Sequence, residues 1–220
     1  MFEFIKNNKW KLIISCVLIL VPVAAGLILW DKLPPEMPVH WGVSGEVDGY
    51  ESKGFVVFGM PAILLAMHLF LIFITGLDKK SRAQSKKVFW LIFMIVPFVS
   101  LYAMGMMYLW ALGVTFDVGT ISLALVGILI AVIGNYLPKC KQNYYIGVRL
   151  PWTLDSEANW NATHRFSGKI WVVGGIAMVF AGLLPGIAKV VGFIVALCVL
   201  IIVPCVYSYL YSRKNPEEKE

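Results

Sequence analysis

The sequence predicts an all-α integral membrane protein: six transmembrane helices, both termini on the cytoplasmic side, and an amphipathic interfacial helix just before the fifth span. Three observations carry that prediction. The 220 residues are 59% hydrophobic and 15% charged, with a mean hydropathy of +0.77, which is more apolar surface than a soluble core of this size hides. About 20 apolar residues are needed to cross the hydrocarbon, and six runs approach that length: roughly 12–30, 55–77, 88–112, 118–137, 168–184 and 190–211. Finally, 16 of the 19 Lys and Arg fall on one side of these spans and 3 on the other, in strict alternation. The rich side takes Lys6, Lys9, Lys11, Lys79, Lys80, Arg82, Lys86, Lys87, Lys139, Lys141, Arg149, Arg165, Lys169, Arg213, Lys214 and Lys219, and the poor side takes Lys32, Lys53 and Lys189. Short loops rich in Lys and Arg stay inside, so the net charge of +6 is a topology signal with some attraction for anionic lipid; it does not argue for direct nucleic-acid binding.

The first run follows Lys9 and Lys11 and contains Val23, Ala24 and Ala25, which mimic a signal-peptidase site. It continues through Leu27 to Trp30, a span's length, so an uncleaved first helix is the preferred reading. Trp10, Trp30, Trp90, Trp110 and Trp171 all lie near span ends, where indole rings favour the interface.

The loop from 31 to 54 is acidic and rich in Pro and Gly, and is placed outside the cell. Pro34, Pro35 and Pro38 favour extended backbone and Gly42, Gly45 and Gly49 favour turns, so ordered irregular structure without a long helix is expected there. In the second run His68 stands among leucines; an ionisable residue at that depth faces other helices, either as a neutral hydrogen-bonding group or as a proton or ligand site. The stretch DKKSRAQSKK reads as a short basic connector. Pro22, Pro61, Pro97 and Pro204 each remove a helical hydrogen bond and predict kinks. Gly174, Gly175 and Gly182 offer the fifth helix a small face for close packing.

From Asn143 to Lys169 the sequence is NYYIGVRLPWTLDSEANWNATHRFSGK. Residues 143–151 read as loop. Asp155 or Ser156 then offers an N-cap with Glu157 in the first turn, and a helix runs on into the fifth span. Glu157, Asn161 and Arg165 share one face of it at four-residue spacing, and Trp160 and His164 share another. The division falls near residue 112: an N-terminal three-helix region, 1–112, with its outer loop, then 113–220 with the inner motif 139–169.

Cys16, Cys198 and Cys205 lie in spans and Cys140 in an inner loop, with no ligand spacing among them; all four read as free thiols, and Cys140, between Lys139 and Lys141, reads as an exposed one. No HExxH, GxSxG or Walker A pattern occurs, so no catalytic residue, metal or cofactor is expected, and the oligomeric state is not set by the sequence.

Two patterns carry a resemblance. Leu33, Pro34, Pro38, His40, Trp41, Gly45, Asp48 and Lys53 look like the LPxxxPxHWxxxGxxDxxxxK pattern of a small bacterial membrane domain of unknown function. Asn143, Ile146, Gly147, Arg149, Pro151, Trp152, Thr153, Leu154, Trp160, Thr163, His164 and Gly168 are similar to the signature of the SdpI family, and the pair in this order resembles the SdpI-type immunity proteins of Gram-positive bacteria. The resemblance implies a multi-pass plasma-membrane protein that confers resistance to a secreted peptide toxin and, in some members, holds a cytoplasmic transcriptional repressor at the membrane. On that reading the surfaces for toxin or partner are Asn143, Gly147, Arg149, Trp152, Thr153, Trp160, His164 and Arg165 inside, and Pro38, His40, Trp41, Gly45 and Asp48 outside. The bland reading has the same residues packing the loop or anchoring it to lipid headgroups. A small transporter with a midplane site near His68 is the alternative function.

Overall fold

The computed structural model describes residues 2–42 and 45–216; Lys219 of the charge count lies outside them. Helix α1 covers Phe2–Ile28, followed by two short strands, β1 Glu36–Trp41 and β2 Val47–Ser52. A π-helical turn, Phe55–Gly59, leads into α2, Met60–Leu77. Then come α3 (Lys79–Arg82), α4 (Lys86–Ala111), α5 (Val118–Tyr136), a 3-10 turn at Leu137–Lys139, α6 (Pro151–Leu154), α7 (Glu157–Ala181) and α8 (Ile187–Lys214). Among the described residues, five helical stretches are long and apolar enough to cross a membrane: Glu3–Ile28, Phe55–Leu77, Lys86–Ala111, Val118–Lys139 and Ile187–Lys214. The apolar part of α7 begins only after the polar residues 157–167.

The chain forms two compact units, residues 1–77 with 89–118, and residues 78–88 with 119–220. In the first unit Leu33, Met37, Val56, Val57, Met104, Met107 and Tyr108 make one core cluster. Phe4, Ile72, Phe89 and Phe93 make another. The Tyr108 hydroxyl donates to the Pro22 carbonyl at 2.9 Å. Pro61 stands at the junction of the π-helical turn and α2, so the hydrogen bond its ring removes is absorbed by a wide turn ahead of it, whereas Pro22, Pro97 and Pro204 lie inside their helices. His68 is fully buried. Ser15 Oγ donates to the Leu12 carbonyl, so His68 Nε2 donates to Ser15 Oγ at 2.8 Å, and its ring meets Phe93 edge-on.

The outer loop corrects the expectation of irregular structure. β1 and β2 pair antiparallel, with irregular register around His40. The prolines and glycines hide a strand pattern in which Met37 and Pro38 are buried and Glu36 and His40 exposed. A two-stranded ribbon has two edges, and an edge tolerates the missing N–H of Pro38. The turn closes through Gly42 N–H to the Glu46 carbonyl and Gly45 N–H to the Gly42 carbonyl. Lys53 ties the hairpin down, donating to the carbonyls of Trp30 (2.9 Å) and Leu33 (3.2 Å) while its ammonium lies 4.6 Å from the Trp30 ring centre.

In the second unit α5 and α7 approach to backbone contact. A Cβ on Gly127 would fall 2.4 Å from the Gly175 carbonyl, and one on Gly168 would fall 2.8 Å from the Gly134 carbonyl. Where lipid removes the hydrophobic drive between helices, such small residues supply the packing. Gly174 faces elsewhere, against Leu200 of α8, so the glycines of α7 serve two contacts and not the single face expected.

Candidate functional site

The segment from Cys140 to His164 is built around α7. Ser156 is the N-cap, its Oγ accepting from Asn159 N–H at 3.1 Å, and the helix runs without a break to Ala181, as the cap and spacing predicted. The polar pattern of its first turns separates as read: Glu157, Asn161 and Arg165 are exposed, Trp160 and His164 buried. Beyond the expected loop 143–151, Pro151–Leu154 forms one short helical turn, in which Thr153 Oγ accepts from Leu150 N–H at 2.8 Å and so satisfies a free donor at its start.

Trp160 and His164 form a clasp. Their rings stack with centres 4.0 Å apart. Trp160 Nε1 donates to the Cys140 carbonyl at 2.8 Å. His164 Nδ1 donates to the Trp160 carbonyl (2.8 Å) and Nε2 accepts from Val148 N–H (3.0 Å), which fixes the neutral tautomer. Gly147 crosses over both rings with φ of 116°, and a Cβ there would meet His164 Nε2 at 2.3 Å. Asn143 is equally committed: Oδ1 accepts from Tyr145 N–H, Ile146 N–H and Ser81 Oγ, and Nδ2 donates to the carbonyls of Lys141 and Ile146. Asn143, Thr153, Trp160 and His164 are each about 1% exposed or less, so their side chains are packed inside the protein. They shape the loop. Arg149 and Arg165 are exposed, Arg149 donating to the Tyr144 carbonyl at 2.8 Å, and Tyr144 and Tyr145 are exposed beside it. Trp152 is half-buried, edge-on to Tyr209.

Sequence reasoning missed the partner of this loop, the basic connector. Gln84 clamps the Lys141 backbone on both sides, donating to its carbonyl at 2.8 Å and accepting from its N–H at 2.9 Å. Lys80 donates to Gln142. Asp78 caps α3; burial would raise its carboxyl pKa, but hydrogen bonds from Ser81, Lys80 and the Tyr144 backbone outweigh that and lower it. The Asp-x-x-Ser spacing from 78 to 81 was the available signal. Asn159 was also missed; it donates to the Ser208 carbonyl and accepts from Thr163 and Ser208, locking α7 to α8. Cys140 is the further correction. It is 7% exposed and burial pushes its thiol up to about 11, so it is neither exposed nor reactive.

In the hairpin, His40 Nδ1 pairs with Asp48 on the exposed face, while Trp41 packs edge-on against Trp110 and Gly45 takes φ of 90° in the turn. Pro38 is buried. Of the outer set, His40 and Asp48 alone present side-chain polar groups at the surface.

Residues 139–208 match the SdpI/YfhL protein family. This segment is similar to the SdpI domain. Residues 17–65 match a domain of unknown function, DUF1648. Across 205 residues the chain is 28% identical to Immunity protein SdpI of Bacillus subtilis (strain 168), covering 93% of this chain and 97% of that relative. No solved structure matches. With the apolar helices, these similarities make the chain a multi-pass bacterial membrane protein. The clasp of Trp160 and His164, the Asn143 turn and the Thr153 cap all fall within the segment that matches the SdpI/YfhL family.

The clasp sets a pH dependence. Burial holds His164 down to about 4, against an ordinary value near 6.5, partly offset by its bond to the Trp160 carbonyl. Folding keeps the ring neutral, so the stability it confers is complete above about 6.5 and falls as the pH drops from there towards about 4, by up to about 1.4 kcal/mol per pH unit. Thermal unfolding of the detergent-solubilised protein between pH 7.5 and 4.5 is expected to show this slope, and His164→Gln is expected to remove it.

Proposed function

We propose that this chain is a membrane immunity protein that protects its cell from a secreted peptide toxin. The likeness to Immunity protein SdpI over nearly the whole of both chains carries the reading. Six spans with both termini inside complete it: α7 enters the membrane after residue 167 as the fifth, and the SdpI loop lies on the cytoplasmic face. That topology rests on the 16 to 3 division of basic residues. Cysteines placed at the exposed positions Lys79 and Lys32, in a chain freed of its own four, test it: an impermeant maleimide on intact cells is expected to label position 32 and not 79, and the reverse refutes the topology.

Within the loop the exposed groups are the acting ones. The exposed Tyr144, Tyr145 and Arg149, with Arg165 exposed on α7, are aromatic and cationic groups of the kind that interfaces favour, and the same groups would hold a cytoplasmic repressor at the membrane. A guanidinium lost from a charged contact costs about 1.5–3 kcal/mol, so Arg149→Ala is expected to lower the protective toxin concentration about tenfold with melting temperature and membrane level unchanged. Asp48→Lys tests the hairpin separately. If the wild-type chain restores no resistance to a toxin-sensitive strain against its cognate peptide, the immunity reading fails; if both variants stay fully resistant, neither surface meets the toxin.

A further inference from the structure

The second unit contains a cavity of mixed polar and apolar lining that the immunity reading does not use. It measures about 260 Å³ and lies between the start of α7, α6 and the last turns of α8, lined by Trp152, Asp155, Ser156, Tyr209 and Arg213 among others. Its chemistry is unbalanced in a specific way. Trp152 Nε1 is buried without a hydrogen-bond partner, which is costly for a donor unless a ligand fills it. Ser156 is 6% exposed; its Oγ accepts from Asn159, and its own proton has no acceptor among the described residues. Asp155 and Arg213 line the same cavity, yet among the described residues the ion pair within 4 Å is His40 with Asp48, so the two charges do not neutralise each other. A site with free donors, a guanidinium and a separate carboxylate suits a ligand carrying both an anion and a cation.

The position narrows the ligand. α8 is apolar enough to span the membrane, its exposed Tyr209 and Leu210 come just before Arg213 and Lys214, and the Trp152 and Tyr209 rings, both lining the cavity, stand edge to face. Aromatic rings followed by basic residues mark the depth of lipid headgroups. We propose that this cavity binds the headgroup of a zwitterionic aminophospholipid, its phosphodiester on Arg213, Trp152 Nε1 and the Ser156 hydroxyl, and its ammonium on Asp155.

Native mass spectrometry of the full chain, delipidated in detergent and offered single lipids at equal concentration, tests this. The wild-type chain is expected to retain one phosphatidylethanolamine about tenfold better than phosphatidylethanol, which keeps the phosphodiester and lacks the ammonium. Asp155→Asn is expected to abolish that preference without weakening phosphatidylethanol. Arg213→Gln and Trp152→Phe are expected to weaken both lipids, the latter with the ring packing kept. Equal retention of the two lipids by the wild-type chain overturns the proposal whatever the variants do. So does retention of free O-phosphoethanolamine to the same degree, which assigns the cavity to a soluble zwitterion, and so does an unchanged preference in a folded Asp155→Asn.

Discussion

Trp160→Ala is expected to cost about 3–5 kcal/mol of stability, the range for emptying a buried aromatic site, and to release the loop from 140 to 150. The indole is fully buried and has three separate tasks. It fills the space under Gly147, holds the Cys140 carbonyl through Nε1 and supports the His164 ring by stacking. Truncation removes all three together. Cys140 reports the result. It is buried with a raised thiol pKa, so it reacts slowly with a water-soluble maleimide in the native chain, and in Trp160→Ala it is expected to react as an exposed thiol does. Replacing Cys16, Cys198 and Cys205 leaves that signal unambiguous. Trp160→Phe keeps most of the packing and loses the Nε1 donor, so its cost is expected to be about 1–3 kcal/mol. Equal behaviour of the two variants would show that the hydrogen bond, and not the packing, holds the loop.

Gly147→Ala is expected to be nearly as damaging, although it adds a single methyl group. At φ of 116° any L side chain strains the backbone by about 1–3 kcal/mol, and the methyl would lie 2.3 Å from His164 Nε2, in a ring that cannot retreat because Trp160 stacks on its face. Overpacking of that kind costs about 1–3 kcal/mol more, and the Val148 N–H bond to His164 breaks with it. Gly45→Ala is the control. Its φ is also positive, at 90°, but nothing lies within 4 Å of the added Cβ, so it should show the backbone cost alone. Melting temperatures of the two variants, read beside toxin resistance at equal membrane level, separate strain from collision. If Gly147→Ala is no worse than Gly45→Ala, the contact with His164 is soft.

These expectations change the meaning of the residues that drew notice in the sequence. Loss of resistance in Trp160→Ala or His164→Ala would report a collapsed loop, while the same loss in Arg149→Ala would report a lost contact, since Arg149 is exposed and its guanidinium makes one hydrogen bond among the described residues, to the Tyr144 carbonyl. Comparing the two kinds of variant is therefore the direct way to divide the SdpI loop into scaffold and contact surface.

What the sequence by itself determined is what each segment settles within itself. A helix in lipid satisfies its backbone internally, so the apolar runs that became α1, α2, α4, α5 and α8 were legible from hydropathy. The Ser156 cap and the four-residue spacing of Trp160 and His164 likewise declared the start of α7 and its buried side. The hairpin escaped because strand pairing joins residues such as Pro38 and Tyr50 across a turn, and β1 buries Met37 and Pro38 side by side, so it lacks the strict alternation that betrays a strand. The clasp between Gln84 and Lys141 escaped for a stronger reason. An amide, an imidazole or an indole N–H looks the same in sequence whether it waits for a partner or is already spent on a backbone 57 residues away, and only the tertiary structure, by bringing those backbones together and excluding water, decided that Asn143, Thr153, Trp160 and His164 hold the loop in shape while Arg149 and Arg165 face outward.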